Sequence, residues 1–362
     1  MKILFLYSEL AGYFLACAQA LHNIYGCEVH LVHWPINKEA PFEFGRYQGL
    51  HFHPRAELND KSLYELFDSI QPQLVYASGW MDKGYVRLAK KIKAQGIPVI
   101  CGSDNHWTKS FRQQIGSILS PWIIQPSFSH FFVPGIPQYE FGRRLGFSPD
   151  RILTGMYSAD VYPFWESSDQ RMRSPHPYPH NFLYVGRYIE HKGIMDLCQA
   201  FARLCKEVTH DWTLTLVGAG PLHEQMPKMD RISCRAFVQP EELPQLALEA
   251  GCFVLPSHHE PWGVALHEFA AAGLPLITTS VCGAGTAFVR NGYNGYLSKA
   301  ADVSSLTSAL RNIVTKEDDD LKRWGSRSYE LSKQITPESW AATLLSVLPS
   351  APKAMSPLSR LS

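Results

Sequence analysis

Short apolar runs alternate along this chain with longer stretches in which apolar residues recur every three or four positions. In the first half KILFLY, EVHLVHW, LVYASG, PVIC and FFVPG read as strands. Between them, Gly12–Tyr25 sets Phe14, Ala18, Leu21 and Tyr25 on one helical face. A second helix is predicted over Asp82–Gln95, with Lys83, Arg87, Lys90 and Lys91 on one side. In the second half NFLYVGR, TLTLVGAG, ISCRAFV, CFVLP and PLITT are predicted strands. Helices are predicted over Ile194–Val208, near Glu241–Ala250 and over Val264–Ala272, then two further helical segments, with Pro337–Leu348 last. The strands are continuous apolar runs, as in a parallel sheet covered on both faces. Strands alternating with helices make the expected class α/β.

Glu166–His180 is polar, carries three prolines and has no periodicity, so it reads as a linker. The 362 residues are enough for two domains. The expected division is a first domain over 1–163, a second over 164–335, a helix over 336–350 returning to the first domain, and a flexible tail over 351–362. MKILFLYSEL reads as a first strand rather than a signal peptide, because its apolar run stops at Ser8 and Glu9. From Gln113 to Tyr139 there is no Lys, Arg, Asp or Glu, but Pro121, Pro126, Pro134 and Pro137 rule out one membrane-spanning helix.

Composition narrows the picture. Hydrophobic residues make up 45% and charged residues 19%, and the net charge is +1, so nothing marks a nucleic-acid binder. None of the eight cysteines forms a C-x-x-C pair, and most sit in apolar runs, so buried reduced thiols in a cytoplasmic protein are expected. The basic side of the Asp82–Gln95 helix suits an anionic membrane surface or plain solvent.

The densest chemistry lies in SHHEPWGVALHEFAAAGLPLITT, Ser257–Thr279. A strand ends at Pro256, and a helix begins after Gly263. That arrangement puts free backbone N–H groups and a helix dipole at the carboxyl edge of a parallel sheet, which favours a diphosphate. Gly263 has no Cβ and allows close approach. Glu260 before the helix and Glu268 inside it can accept hydrogen bonds from hydroxyls, Glu260 from a transferred sugar and Glu268 from a ribose. In LYVGRYIEHKGIMDL, Arg187 follows a strand end, and Lys192 with Gly193 opens the next helix. Two cations there suit an anionic leaving group.

With these blocks in order, the sequence resembles the retaining glycosyltransferases of family 4, of the GT-B fold. The matching elements are VGR…KG (185–193), LVGAGPL (216–222), PEELPQL (240–246), VLPSHHEPWGVALHEFAAAGLPLI (254–277), NGYNGYL (291–297) and the hinge-like GMYSADVYPF (155–164). The resemblance covers 150–315 strongly and the first half in outline. It implies two Rossmann-like domains whose parallel sheets face each other across a cleft. It gives Arg187 and Lys192 to the donor diphosphate and Glu260 to the donor sugar. Trp262, Gly263 and Val264 supply loop contacts and backbone donors, and Glu268 holds the ribose. Phe237 and Val238 meet the base, and Gly186, Gly218 and Gly220 line the donor side. The family's glycine-rich loop after the first strand is here SELAGY, with Gly12 alone. The histidine often found near the reacting sugar falls in PVICGSDNHWTKS, where both Asp104 and His106 are candidates.

The implied reaction moves a sugar from a nucleoside diphosphate to an acceptor hydroxyl with retention of configuration, without a metal or other cofactor. The implied acceptor is a glycan, a lipid-linked molecule or a small molecule, within glycan or polysaccharide biosynthesis. A peripheral membrane contact through the first domain is compatible with that role. A GT-B phosphorylase, a nucleotide-sugar epimerase and a non-catalytic nucleotide-sugar-binding protein are the alternatives. Asp318-Asp319-Asp320 imitates a metal-binding D-x-D but reads as an acidic helix start. His258-His259-Glu260 could suggest metal ligation, but adjacent histidines point apart on most backbones, so no metal site is expected. Trp80, Trp107 and Trp122 offer stacking surfaces for a sugar or simple packing.

Overall fold

The computed structural model describes residues 1–35, 45, 47–350 and 354. The expected tail over 351–362 therefore lies, but for Ala354, outside the described residues. The chain divides into two compact units, Met1–Ser158 together with the chain from Ile335, and Ala159–Gln334.

The first unit is built on seven parallel strands: β1 (Lys2–Leu6), β2 (Glu28–His33), β3 (Leu50–Pro54), β4 (Leu74–Ser78), β5 (Val99–Gly102), β6 (His130–Val133) and β7 (Ile152–Thr154). Their order is β3-β2-β1-β4-β5-β6-β7. Helices α1 (Gly12–Tyr25), α2 (Asp60–Ile70), α3 (Lys83–Ala94), α4 (Phe111–Ile123) and α5 (Ile136–Arg144) connect them. Apolar runs persist because both sheet faces are covered. Ile3, Phe5, Val29 and Leu31 join α1 in one core, and Leu4, Leu6, Val32 and Val75 join α2 and α3 in the other. In this unit the sequence pattern missed two strands, as it missed Gly295–Ser298 in the second. β7 is only three residues long, and β3 is an edge strand whose histidines replace apolar residues.

The second unit has six parallel strands: β8 (Asn181–Val185), β9 (Thr213–Val217), β10 (Ile232–Arg235), β11 (Cys252–Leu255), β12 (Leu276–Thr279) and β13 (Gly295–Ser298). Their order is β10-β9-β8-β11-β12-β13. The helices are α6 (Val161–Arg173), α7 (Ile194–Glu207), α8 (Leu243–Leu248), α9 (Val264–Ala271), α10 (Gly285–Phe288), α11 (Val303–Val314) and α12 (Asp318–Ser332). A last helix, α13 (Pro337–Leu345), belongs to the first unit. There Trp340 packs on Phe5, Phe14 and Phe132 and donates its indole N–H to the Met156 carbonyl at 2.8 Å.

The expected linker is mostly helix, because α6 runs to Arg173 and includes residue 163. The buried face of α6 is Val161, Phe164, Ser167 and Ser168, so two serines hide its periodicity. The Ser167 hydroxyl donates to the Pro163 carbonyl at 3.1 Å and the Pro244 carbonyl at 3.0 Å, which lets the helix pack closely. Pro163 is tolerated in the first turn. The chain after β13 forms three helices rather than two, since α11 and α12 are separate. The helix near Glu241 shortens to a 3₁₀ turn and α8. Of the eight cysteines, six are buried, Cys205 is half-buried and Cys234 is exposed; all are free thiols. Among the described residues no helix is long and apolar enough to cross a membrane.

Candidate functional site

In an open parallel sheet, ligands bind beyond the strand carboxyl ends where the strand order reverses. In the second unit that point lies between β8 and β11, which are neighbours although α7, β9, β10 and α8 separate them in the chain. The residues singled out in the sequence come from these two strand ends. Arg187 and Lys192 follow β8, and Glu260 and Gly263 follow β11.

The two loops are locked together. The Lys192 ammonium forms an ion pair with the Glu260 carboxylate, both largely buried. Ser257 donates its hydroxyl to the same carboxylate at 3.3 Å. His258 meets Asp196 at 2.7 Å, and its backbone N–H donates to the His191 carbonyl at 2.8 Å. The Tyr184 phenol donates to the Arg187 carbonyl at 2.8 Å. His191 reports the local field: burial lowers its pKa first, then Lys192 and Arg187 lower it further. Arg187, Lys192 and Glu260 thus act on one small region. Lys192 stands in a 3₁₀ turn just before α7, with Gly193 as the helix cap.

Gly218 has φ +146°, and a Cβ there would collide with the Gly186 carbonyl oxygen. The β9 loop therefore lies against the β8 loop, where Gly186 N–H donates to Val217 at 3.0 Å and Tyr188 N–H to Ala219 at 2.8 Å. Gly218 and Gly220 hold the turn that carries Arg187. Gly263, at φ +96°, caps α9 without a side-chain hydrogen bond. The first N–H groups of α9, beginning with Val264, have no side chain capping them, the arrangement that favours an anion.

Glu268 is half-buried in α9. Burial pushes its pKa up to about 7, and the Asp160 carboxylate adds to the shift. Its neighbour His267 is fully buried and lowered to about 4 by that burial. The Nδ1 of His267 accepts from Ala159 N–H at 3.1 Å and its Nε2 donates to the Ser332 carbonyl at 3.0 Å, which fixes a neutral ring. Trp262 is buried edge-on to Phe288, so its ring anchors the loop. Phe237 and Val238 follow the edge strand β10 and are half-buried. Asp318 to Asp320 begin α12 and pair with His180, Lys322 and Arg323.

Sequence reasoning missed the loop after β12. Gly283 N–H donates to the Glu260 carbonyl at 3.1 Å and Ala284 N–H to the Trp262 carbonyl at 2.8 Å, so Cys282–Gly285 clamps the Glu260 loop. C-G-A-G two residues beyond the strand PLITT was the available signal. Ser257 and Asp160 were missed too.

The first unit holds a cavity of about 920 Å³ at its own reversal point, between the ends of β1 and β4. Asp104 lines it, with Glu9, Tyr7, Tyr76 and Tyr157. The Tyr157 phenol donates to Asp104 Oδ2 at 3.4 Å. His106 stands two residues beyond Asp104, and its carbonyl accepts from Gln113 at 2.8 Å. Gly12 opens α1, which has no side-chain cap. Trp80 and Trp107 pack around Phe141, whereas Trp122 is 70% exposed. On α3, Arg87 pairs with Asp60 and Lys91 lies over the Tyr64 ring, so part of the basic side is already engaged. Among the described residues, one group could hold a metal ion: Glu28, His30 and His51, on β2 and β3.

Two units with parallel sheets in these strand orders make the fold that of the GT-B glycosyltransferases. Anabaena HepE, solved with UDP and glucose, aligns at a TM-score of 0.69 and 17% identity over 96% of this chain and 100% of that one. Sucrose-phosphate synthase of Thermosynechococcus elongatus aligns at 0.72 and 18% identity, over 96% and 98%. Residues 169–331, all within the second unit, match the family model for glycosyl transferases group 1. A glycogen synthase of Mycobacterium tuberculosis is 38% identical over 261 residues, 68% of this chain and 61% of that protein. The chain thus spans about three-fifths of the length of that curated relative.

Proposed function

We propose that this chain is a glycosyltransferase that moves a sugar from a nucleoside diphosphate sugar to an acceptor hydroxyl, with retention of configuration and without a metal. The observation that carries the reading is the meeting of Arg187, Lys192 and Glu260 at the β8/β11 reversal, beside the uncapped start of α9. Breaking the bond from the anomeric carbon to the diphosphate leaves negative charge on the phosphate. Fixed cations and backbone N–H groups aimed at that charge lower the barrier. Arg187, Lys192 and α9 supply them here, in place of a metal. Lys192 also holds the Glu260 carboxylate, ready to accept hydrogen bonds from the sugar hydroxyls. Glu268 binds the ribose, and Phe237 and Val238 meet the base through their backbone.

The acceptor oxygen bonds to the anomeric carbon on the face the phosphate leaves. Its proton passes to the departing phosphate oxygen, so atoms and charge balance without a separate base. Asp104 stands on the acceptor side. UDP-glucose is the first donor to try, given the ligands of HepE. The protein then works in the cytoplasm, in glycan or polysaccharide biosynthesis.

The test is a thermal-shift screen of UDP-, GDP-, ADP- and dTDP-sugars, followed by turnover with the donor that raises the melting point. The configuration at the anomeric carbon of the product is read by NMR. EDTA should leave turnover unchanged. A donor converted to a new free nucleotide sugar without acceptor would make the protein an epimerase instead.

A further inference from the structure

Helix α4 is anchored poorly for a helix of a folded unit. Only Ser120 is buried, and its hydroxyl donates to the Leu145 carbonyl at 2.7 Å. Phe111 is 77% exposed, Ile118 68% and Ile123 57%; Ile115 and Leu119 are also exposed, like Trp122. At 100° per residue these six side chains form one continuous stripe roughly 140° wide. Soluble proteins seldom leave such a patch bare unless something binds it.

The stripe is continuous with the cavity. Ile115, Leu119 and Ile123, on one margin, line it together with Gly116 and Trp80. Phe111, Ile118 and Trp122, on the other margin, do not line it. The same cavity also has polar lining where β1, β4 and β5 end: Ser8, Glu9, Ser78, Ser103 and Asp104. The helix has no acidic residue, and its one charge, Arg112, also lines the cavity. One ligand filling this space is polar at one end and hydrocarbon at the other.

We propose that the cavity binds an amphiphilic acceptor, its hydroxylated head against Asp104 and its hydrocarbon chain running out along α4. The word acceptor rests on the transferase reading; the binding site rests on the cavity and the helix. Arg112 at the rim suits an anionic linkage between head and chain. Hydrocarbon laid against Ile115, Leu119 and Ile123 leaves water, and the gain grows with chain length.

The experiment uses the full chain and a series of probes: methyl, hexyl and octyl β-D-glucoside, each below its micelle concentration. Binding is read by calorimetry and by intrinsic tryptophan fluorescence, since Trp80 lines the cavity. Affinity should rise about two- to fourfold per added methylene, the upper figure corresponding to full burial. Leu119→Asp and Ile123→Asp should abolish that dependence. Ile136→Asp, an exposed apolar residue away from the cavity, should leave it intact. These side chains are exposed, so folding is checked simply by circular dichroism.

Equal affinity for the methyl and octyl glucosides overturns the proposal, as does chain-length dependence that survives Leu119→Asp. Self-association in sedimentation velocity that Ile118→Asp abolishes would assign the stripe to a second copy instead. Binding to phosphatidylglycerol–phosphatidylcholine vesicles without affinity for the soluble octyl glucoside would assign it to a membrane surface. Donor affinity is measured separately on the same protein. Its loss would sink the transferase reading and leave this site standing.

Discussion

The two units solve the same topological problem with opposite materials. Each has a parallel sheet whose strand order reverses beside its first strand, and each gathers candidate residues at that point. In the second unit the reversal is packed tight. A buried ion pair, a hydroxyl, glycine contacts and a clamping loop satisfy one another around Lys192 and Glu260. In the first unit the reversal is hollow, walled by tyrosines and carboxylates and rimmed by a helix with bare apolar side chains. Preorganised charge suits a diphosphate, which every nucleoside diphosphate sugar carries. An open, adaptable wall suits a partner that varies. The family model falls on 169–331, within the second unit.

If preorganised charge is the essence of the second unit, Lys192→Ala should lower turnover on the order of 10²–10³-fold, by analogy with loss of one oxyanion donor. Steady-state kinetics checks this, and near-normal turnover would remove Lys192 from the chemistry. The tight packing predicts a stability effect next. Gly218→Ala should cost at least about 1–3 kcal/mol, from the strained backbone and the collision with Gly186. Chemical denaturation measures it, and an unchanged midpoint would mean the β8 and β9 loops are not held as described.

Glu268→Gln should weaken donor binding about tenfold, roughly the loss of one hydrogen bond to a charged group. It should also change the pH dependence of stability. With its pKa raised from 4.5 to about 7, Glu268 binds a proton more readily in the folded state. Its contribution is full below pH 4.5 and fades as the pH rises through 7. His267, lowered from 6.5 to about 4, works the other way, since its contribution fades as the pH falls from 6.5 towards 4. The two slopes oppose each other in the natural protein. Glu268→Gln removes the first slope, so stability should climb more steeply with pH between 4.5 and 7 than in the natural protein. A flat profile would contradict the burial of this pair. The weakest expected effect is that of Asp319→Ala with Asp320→Ala. Their exposed pairs with Lys322 and Arg323 contribute little, and turnover should stay within about twofold. A large loss would reopen the metal-binding reading of these aspartates.

Periodicity and apolar runs settled much of this molecule without coordinates. They placed β1, β8, β9, β11 and α1, because hydrophobic burial is a local, repeated demand. They set Arg187, Lys192 and Glu260 at strand ends for the same reason, since a run of apolar residues has to stop where the sheet stops. They failed at α6, whose buried serines look polar in a list of residues and act as small packing surfaces in the fold. They failed also at the Cys282–Gly285 clamp and at the influence of Asp160 on Glu268, which depend on residues far apart in sequence. Only the tertiary structure decided that Lys192 and Glu260 share one ion pair, and that α4 leaves its apolar side chains bare beside a cavity. Partnership and exposure depend on what the rest of the chain brings near, which no single segment encodes.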